Sequence, residues 1–306
     1  MIIDVHAHLY PESYLAMIGR PEIPPRRAAA LADQSLEQRL ELMDRAGVTA
    51  QVLSVAQAQP YLASDEASVA AAVAVNDIYA GVVGEFPGRF YAFGALPMTV
   101  PGAAVVEAGR VFEELGMLGV TVGCSVAGRA LDDELFAPVF AELDRREAVV
   151  FLHPIGDAFV CGMGDFGLDW LIGAPIEDSV AAMRLVLSGM AERYAGIQWI
   201  VPHLGGVFPF MWGRVTRTTG GRLEALRRMW FDTVAGAEAA FACTTAALGS
   251  ERLLYGTDYP YADERGFLRR LSYLDEQGWS EQEVREIKGE RLARLLKLDL
   301  TADTAH

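Results

Sequence analysis

Eight short apolar runs, mostly separated by stretches of helical pattern, set the main constraint on this chain. They are IIDV, VTAQVLSV, RFYAFGAL, GVTVG, AVVFLH, IQWIVPH, MWFDTV and RLLYGTD. The runs are rich in β-branched and aromatic residues and show no clean alternation, as expected of parallel strands covered on both faces. The helical stretches are SLEQRLELMDRAG, ending at Gly47, an alanine-rich segment over 65–83, and PGAAVVEAGRVFEELG. DDELFAPVFAELDRRE with Asp132 as its cap, EDSVAAMRLVLSGMAERY, and SEQEVREIKGERLARLLKL follow. Eight βα units in 306 residues predict one α/β domain over 1–306, a slightly distorted (β/α)₈ TIM barrel with a short insertion after strand one. An open doubly wound sheet is the rival, but no glycine-rich fingerprint follows IIDV. Residues 10–35 carry PEIPPRR and are long for a βα loop, so they are expected to cap a site.

A hydrophobic content of 52% is enough to fill a large core. The formal net charge is −15 and no basic patch offsets it, which argues against a nucleic-acid partner. An anionic small molecule then needs a locally positive pocket. Cys124, Cys161 and Cys243 are too scattered for a disulfide framework or zinc knuckle. They are expected to be reduced, in a cytoplasmic protein. MIIDVHAH lacks the basic start of a signal peptide. No stretch reads as a membrane span, since AAVAVNDIYAGVV is short and interrupted.

Four of the five histidines fall at predicted strand ends: His6 and His8 after strand one, His153 after strand five and His203 after strand six. Asp258 ends strand eight in YGTDYP. In a barrel these C-terminal ends converge on one site, and strands one and eight become neighbours. Taken singly, each has an ordinary reading. HAH suits a surface strand, FLHP and VPHLGG suit satisfied core histidines, and GTDYP suits a turn. Together, three imidazoles and a carboxylate suit a borderline divalent ion. The expected ligands are His6, His8, His153 and Asp258. Zinc is the leading ion and manganese the alternative. His203 is expected beside the ion as acid or base.

The stretches DVHAH, LELMDRAGVTAQVLS, FGALPM, FLHP, LDWLIGAPIED, VPHLGGVFPFMWGR and LLYGTDYPY span most of the chain. In these the chain resembles the amidohydrolase superfamily, in its amidohydrolase-2 branch. The resemblance implies the same four metal ligands, with His203 and Asp258 as catalytic residues. It also implies that Arg39 and Arg214 bind a substrate carboxylate, Arg214 in the neighbouring subunit of a homodimer, with Trp170 near the pocket. Phe210 in FPF is a further candidate for substrate contact. The activity implied is a metal-dependent, non-oxidative decarboxylase, a carbon–carbon lyase acting on a small unsaturated or aromatic carboxylate with a metal-bound water and His203. Hydrolysis of a lactone, ester or amide, hydration of an unsaturated acid, and a metal-binding protein without turnover are the alternatives. No nucleic-acid or membrane partner is expected.

Overall fold

The computed structural model describes residues 1–19, 35–156, 163–234, 237–261 and 263–298. Its strands are β1 (Ile3–His8), β2 (Ala50–Ser54), β3 (Phe90–Ala95), β4 (Gly119–Gly123), β5 (Val149–His153), β6 (Gln198–Val201), β7 (Trp230–Asp232) and β8 (Leu253–Leu254). They lie side by side in chain order, and every neighbouring pair is parallel. The circle closes between β8 and β1. There the Val5 N–H donates to the Tyr255 carbonyl (2.9 Å), Asp258 N–H to the His6 carbonyl (2.7 Å), and His8 N–H to the Tyr259 carbonyl (2.7 Å). Each of the eight predicted runs supplies one strand, and closure excludes the open-sheet rival.

A buried carboxylate draws the seam together. Asp4 accepts from the Thr257 N–H (2.9 Å), the Thr257 hydroxyl (2.6 Å) and the Gln51 amide (2.8 Å), so one side chain ties β8 and β2 to β1. Burial pushes its pKa up to about 6, against the hydrogen bonds from Thr257 and Gln51. Gly256 is required beside it, because a Cβ there would sit 2.9 Å from the His6 Cβ. Inside the barrel Val5, Val52, Phe93, Phe151, Ile200 and Leu254 pack together, and Leu292, Ala293 and Leu296 join the same cluster.

The helices form the outer layer, and their ends follow local chemistry. Leu36–Ala46 starts at Ser35, whose hydroxyl accepts from the Gln38 N–H, and stops at Gly47 with φ 69°. Asp132 does not cap the next predicted helix. Asp133 accepts from the Leu135 N–H and starts a short 3₁₀ turn, while Asp132 pairs with Arg184 at 2.7 Å. The segment around AAVAVNDIYAGVV also departs from expectation. It belongs to a 21-residue helix, Asp65–Glu85, that is long and apolar enough by composition to cross a membrane. Here its apolar face covers the barrel. Asn76 donates to the Ala95 carbonyl (2.9 Å) and accepts from the Ala95 N–H (2.8 Å), and the Tyr79 hydroxyl donates to the Leu9 carbonyl (2.7 Å). Of the expected capping loop, Glu12–Ile18 is a short helix and 20–34 lie outside the described residues, as do Cys161 and His306.

Candidate active site

β1 carries an irregularity between Asp4 and Ala7, where three steps along β1 match two along β2. Such a bulge re-aims side chains. Here it leaves His6 and His8 both fully buried and facing each other, ring centroids 4.8 Å apart. His153 arrives from the end of β5, 4.8 Å from the His8 ring and 5.2 Å from the His6 ring. Asp258 follows β8 with φ 58°, a left-handed conformation uncommon for residues other than glycine. Positive φ recurs at His203 (52°) and Leu204 (55°), then at Gly205 and Gly206. This tight turn after β6 presents His203. Gly206 permits it, since a Cβ there would strike the Pro175 carbonyl.

Hydrogen bonds fix how each ring points. His6 Nδ1–H donates to Asp232 (2.5 Å), His153 Nδ1–H to the Pro154 carbonyl (2.7 Å), and His8 Nδ1 meets the Ser54 hydroxyl (2.9 Å). Outward Nδ1 bonds turn each Nε2 inward, the arrangement that orients metal-binding imidazoles. Nε2 of His6 and of His153 are buried without a hydrogen-bond partner. Asp258 Oδ1 stands 3.3 Å from the first of them and 3.2 Å from His8 Nε2. The ligand atoms of His6, His8, His153 and Asp258 all lie within 4.8 Å of one another. Two orphaned inward nitrogens in a closed cluster of one carboxylate and three imidazoles fit a divalent cation.

The charges agree with that fit. Burial pulls His8 down to about 4 although Asp258 opposes it, and burial with the neighbouring imidazoles takes His153 well below its usual range. Both rings are therefore neutral and can offer a lone pair. Burial works against a charge on His6 as well, but Asp232 and Asp258 outweigh it and push its pKa up to about 10. A bound cation would take the place of that proton. Burial favours the acid form of Asp258, yet contacts with His6 and His8 hold its pKa well below the carboxylate range.

His203 stands next to this cluster, its ring centroid 5.2 Å from that of His6. Its Nδ1–H donates to Asp178 (2.8 Å), and its N–H donates to Asp232 (2.8 Å). Burial lowers its basicity, but the Asp178 carboxylate outweighs that and raises its pKa. Sequence reasoning passed over both Asp178 and Asp232. Asp232 was visible as a lone acid in the apolar run MWFDTV. It bridges His6, the His203 backbone and the Val234 N–H.

A cavity of about 650 Å³ opens above the cluster, lined by His153, His203 and Asp258 together with Trp170, Leu171, Val207, Phe210 and others. Trp170 is buried against it, while Phe210 stands at its rim, 81% exposed. Arg39 does not line it. Its guanidinium is buried, donating to the His8 carbonyl (2.6 Å) and to Gln51 (3.1 Å), with Tyr259 stacked 4.5 Å away. Through these bonds it braces the backbone of His8. Arg214 is exposed on helix Trp212–Thr219 and lies outside this cavity of its own chain.

Fold and donor set define the class: a parallel barrel enzyme with a divalent-cation centre at the C-terminal ends of its strands. The chain belongs to the amidohydrolase family, whose model matches residues 3–298. It is 31% identical to 2-amino-3-carboxymuconate-6-semialdehyde decarboxylase of Dictyostelium discoideum, over 73% of this chain and just under two thirds (66%) of that one. It is 29% identical to a 6-methylsalicylic acid decarboxylase of Aspergillus aculeatus, over 90% of this chain and 89% of the other. Among solved structures, a dihydroxybenzoic acid decarboxylase from Polaromonas sp. JS666, with bound manganese and the inhibitor 2-nitroresorcinol, superposes with a TM-score of 0.83. That match is at 22% identity and covers 100% of this chain and 99% of the other. Family, donor set and relatives together support a metal-dependent decarboxylase.

Proposed function

We propose that the protein removes carbon dioxide, without oxidation, from a small aromatic or unsaturated carboxylic acid. The observation that carries this is the inward cluster of His6, His8, His153 and Asp258 beneath an apolar cavity, with His203 held beside it by Asp178. We assign those four residues as ligands of one divalent cation. When bound, the cation supplies a Lewis acid that orients and polarises an anionic substrate. The chain's own residues do the rest. Trp170 and the apolar wall hold the ring and exclude water. His203, charged through Asp178, gives its Nε2 proton to the carbon that bears the carboxylate. The bond to the carboxyl carbon then breaks, carbon dioxide leaves, and the bond's electrons restore the unsaturated system. His203 takes a new proton from solvent. Arg39, in this reading, keeps the His8 backbone in position.

Zinc remains the first expectation and manganese the second, supported by the manganese in the dihydroxybenzoic acid decarboxylase. Protein stripped by a chelator should lose activity and regain it with either ion. Full activity in protein verified to be free of metal would take the metal out of the reaction. We also propose residence in the cytoplasm, supported by free thiols at Cys124 and Cys243, and a single working domain over 1–306 with 10–35 as its cap.

The state of His203 gives a pH prediction. The acid form is the active one, so the alkaline limb of the rate profile tracks its raised pKa. Asp178→Asn removes the carboxylate that raises it. That limb should move to lower pH, with kcat reduced at neutral pH. A profile that keeps its limb would separate Asp178 from proton transfer.

A homodimer is the second part of the reading. Leu171 (70% exposed) and Phe210 line the cavity while facing outward, and Phe166, four residues before Trp170, is 96% exposed; exposed apolar surface of this kind suits a second copy. Arg214, exposed nearby in sequence to Phe210, would then serve the partner's substrate. Arg214→Ala and His8→Ala subunits, each inactive alone, should regain activity when mixed, because one site of the mixed dimer carries neither defect. Confirmed subunit exchange without activity would rule this out.

A further inference from the structure

Arg270 is the one arginine or lysine among the described residues that line the cavity. It sits on helix Glu264–Asp275, six residues past the start and so about 9 Å along the helix axis. Its guanidinium makes no hydrogen bond or ion pair among the described residues, and Nη1 is fully buried with no partner. The Tyr255 hydroxyl, on the barrel wall just after β8, is likewise buried and unpartnered, and the charge of Arg270 acts on it. The adjacent Arg269, by contrast, is exposed and paired with Glu276. Buried polar groups are rarely left without partners, and a guanidinium without an ion pair that lines a cavity can hold a polar guest there.

The cavity leaves room for that guest. Its volume lies in the range that encloses drug-sized ligands, larger than one ring with its reacting carboxylate needs. Val234, Ala239, Ala240 and Cys243 line it together with Arg270. A guanidinium grips a carboxylate through two parallel hydrogen bonds.

We propose that Arg270 is a specificity-determining residue that binds a second carboxylate of the substrate, apart from the one that reacts. The substrate class is thereby a diacid. This rests on the decarboxylase reading only in taking an acid to react at the histidine end.

The test uses the full chain loaded with zinc or manganese and two pairs of probes that differ by one carboxylate. The pairs are salicylate with 4-hydroxyisophthalate, and 4-phenylsalicylate with its 4′-carboxyl derivative, which reaches further. Calorimetry should show the diacid of at least one pair binding about tenfold or more tightly than its partner. Arg270→Gln should abolish that advantage while leaving affinity for the monoacid within about twofold. Arg270→Lys keeps the charge and guards against a folding defect; it should retain part of the advantage. No advantage in either pair, or one that survives Arg270→Gln, overturns the proposal. Because the readout is binding, diacid preference without carbon dioxide release would sink the decarboxylase reading and leave the subsite standing. Release without the preference would do the reverse.

Discussion

Replacing His203 by alanine should lower kcat by roughly 10²–10⁴-fold, the usual worth of a positioned general acid, while bound metal stays at the wild-type level. Both halves follow from geometry. His203 reaches the cavity from the turn after β6, and its Nδ1 is taken by Asp178, so only Nε2 faces the substrate. It is not one of the four residues whose ligand atoms cluster within 4.8 Å. Its backbone N–H still donates to Asp232 when the side chain is gone, which keeps the His6 partner in position. Steady-state kinetics with elemental analysis on the same preparation reads both quantities. Undiminished turnover would take His203 out of the reaction. Loss of metal together with activity would make it a ligand.

His153→Ala should do the opposite: abolish stoichiometric metal binding and drop turnover to background. Its inward nitrogen is buried and unpartnered, so the cluster loses one of its three imidazole donors. Thermal unfolding gives an independent readout. A ligand that binds only the folded chain stabilises it by about 4 kcal/mol at a thousandfold excess over its Kd. Zinc or manganese should therefore raise the wild-type Tm by several degrees and leave the His153→Ala Tm nearly unchanged. An equal rise in both would show that the ion binds elsewhere.

Most of the barrel was legible because buried parallel strands leave continuous apolar runs, and because histidine and aspartate are conspicuous at the ends of such runs. His6, His8, His153 and Asp258 could be grouped from chain order alone once eight units implied closure. What was not legible involves residues whose role depends on facing direction. Asp178 looked like an ordinary acid in the first turn of a helix starting at Glu177. The helix in fact begins at Ala174 after a π turn over Asp169–Gly173, which turns Asp178 inward to His203. Arg39 sits on a helix whose sequence does not say that the residue is buried under His8. Helix Glu238–Leu248 escaped notice because EAAFACTTAAL is small and apolar on most sides and lacks an amphipathic stripe. Arg270 lies in a helix, Glu264–Asp275, also absent from the sequence reading, and only the packing of that helix on the barrel brings it to the cavity.

The most direct test follows the carboxyl carbon itself. Metal-loaded protein is incubated with 6-methylsalicylate, 2,6-dihydroxybenzoate and 4-hydroxyisophthalate, each labelled with ¹³C in the carboxyl group, and the products are read by NMR. Labelled carbon dioxide and bicarbonate are expected from at least one acid, in equal amount to a ring product that carries hydrogen where the carboxylate was, and none from metal-stripped protein. Label retained in every acid, or found in ring-opened or hydrated products, would contradict decarboxylation.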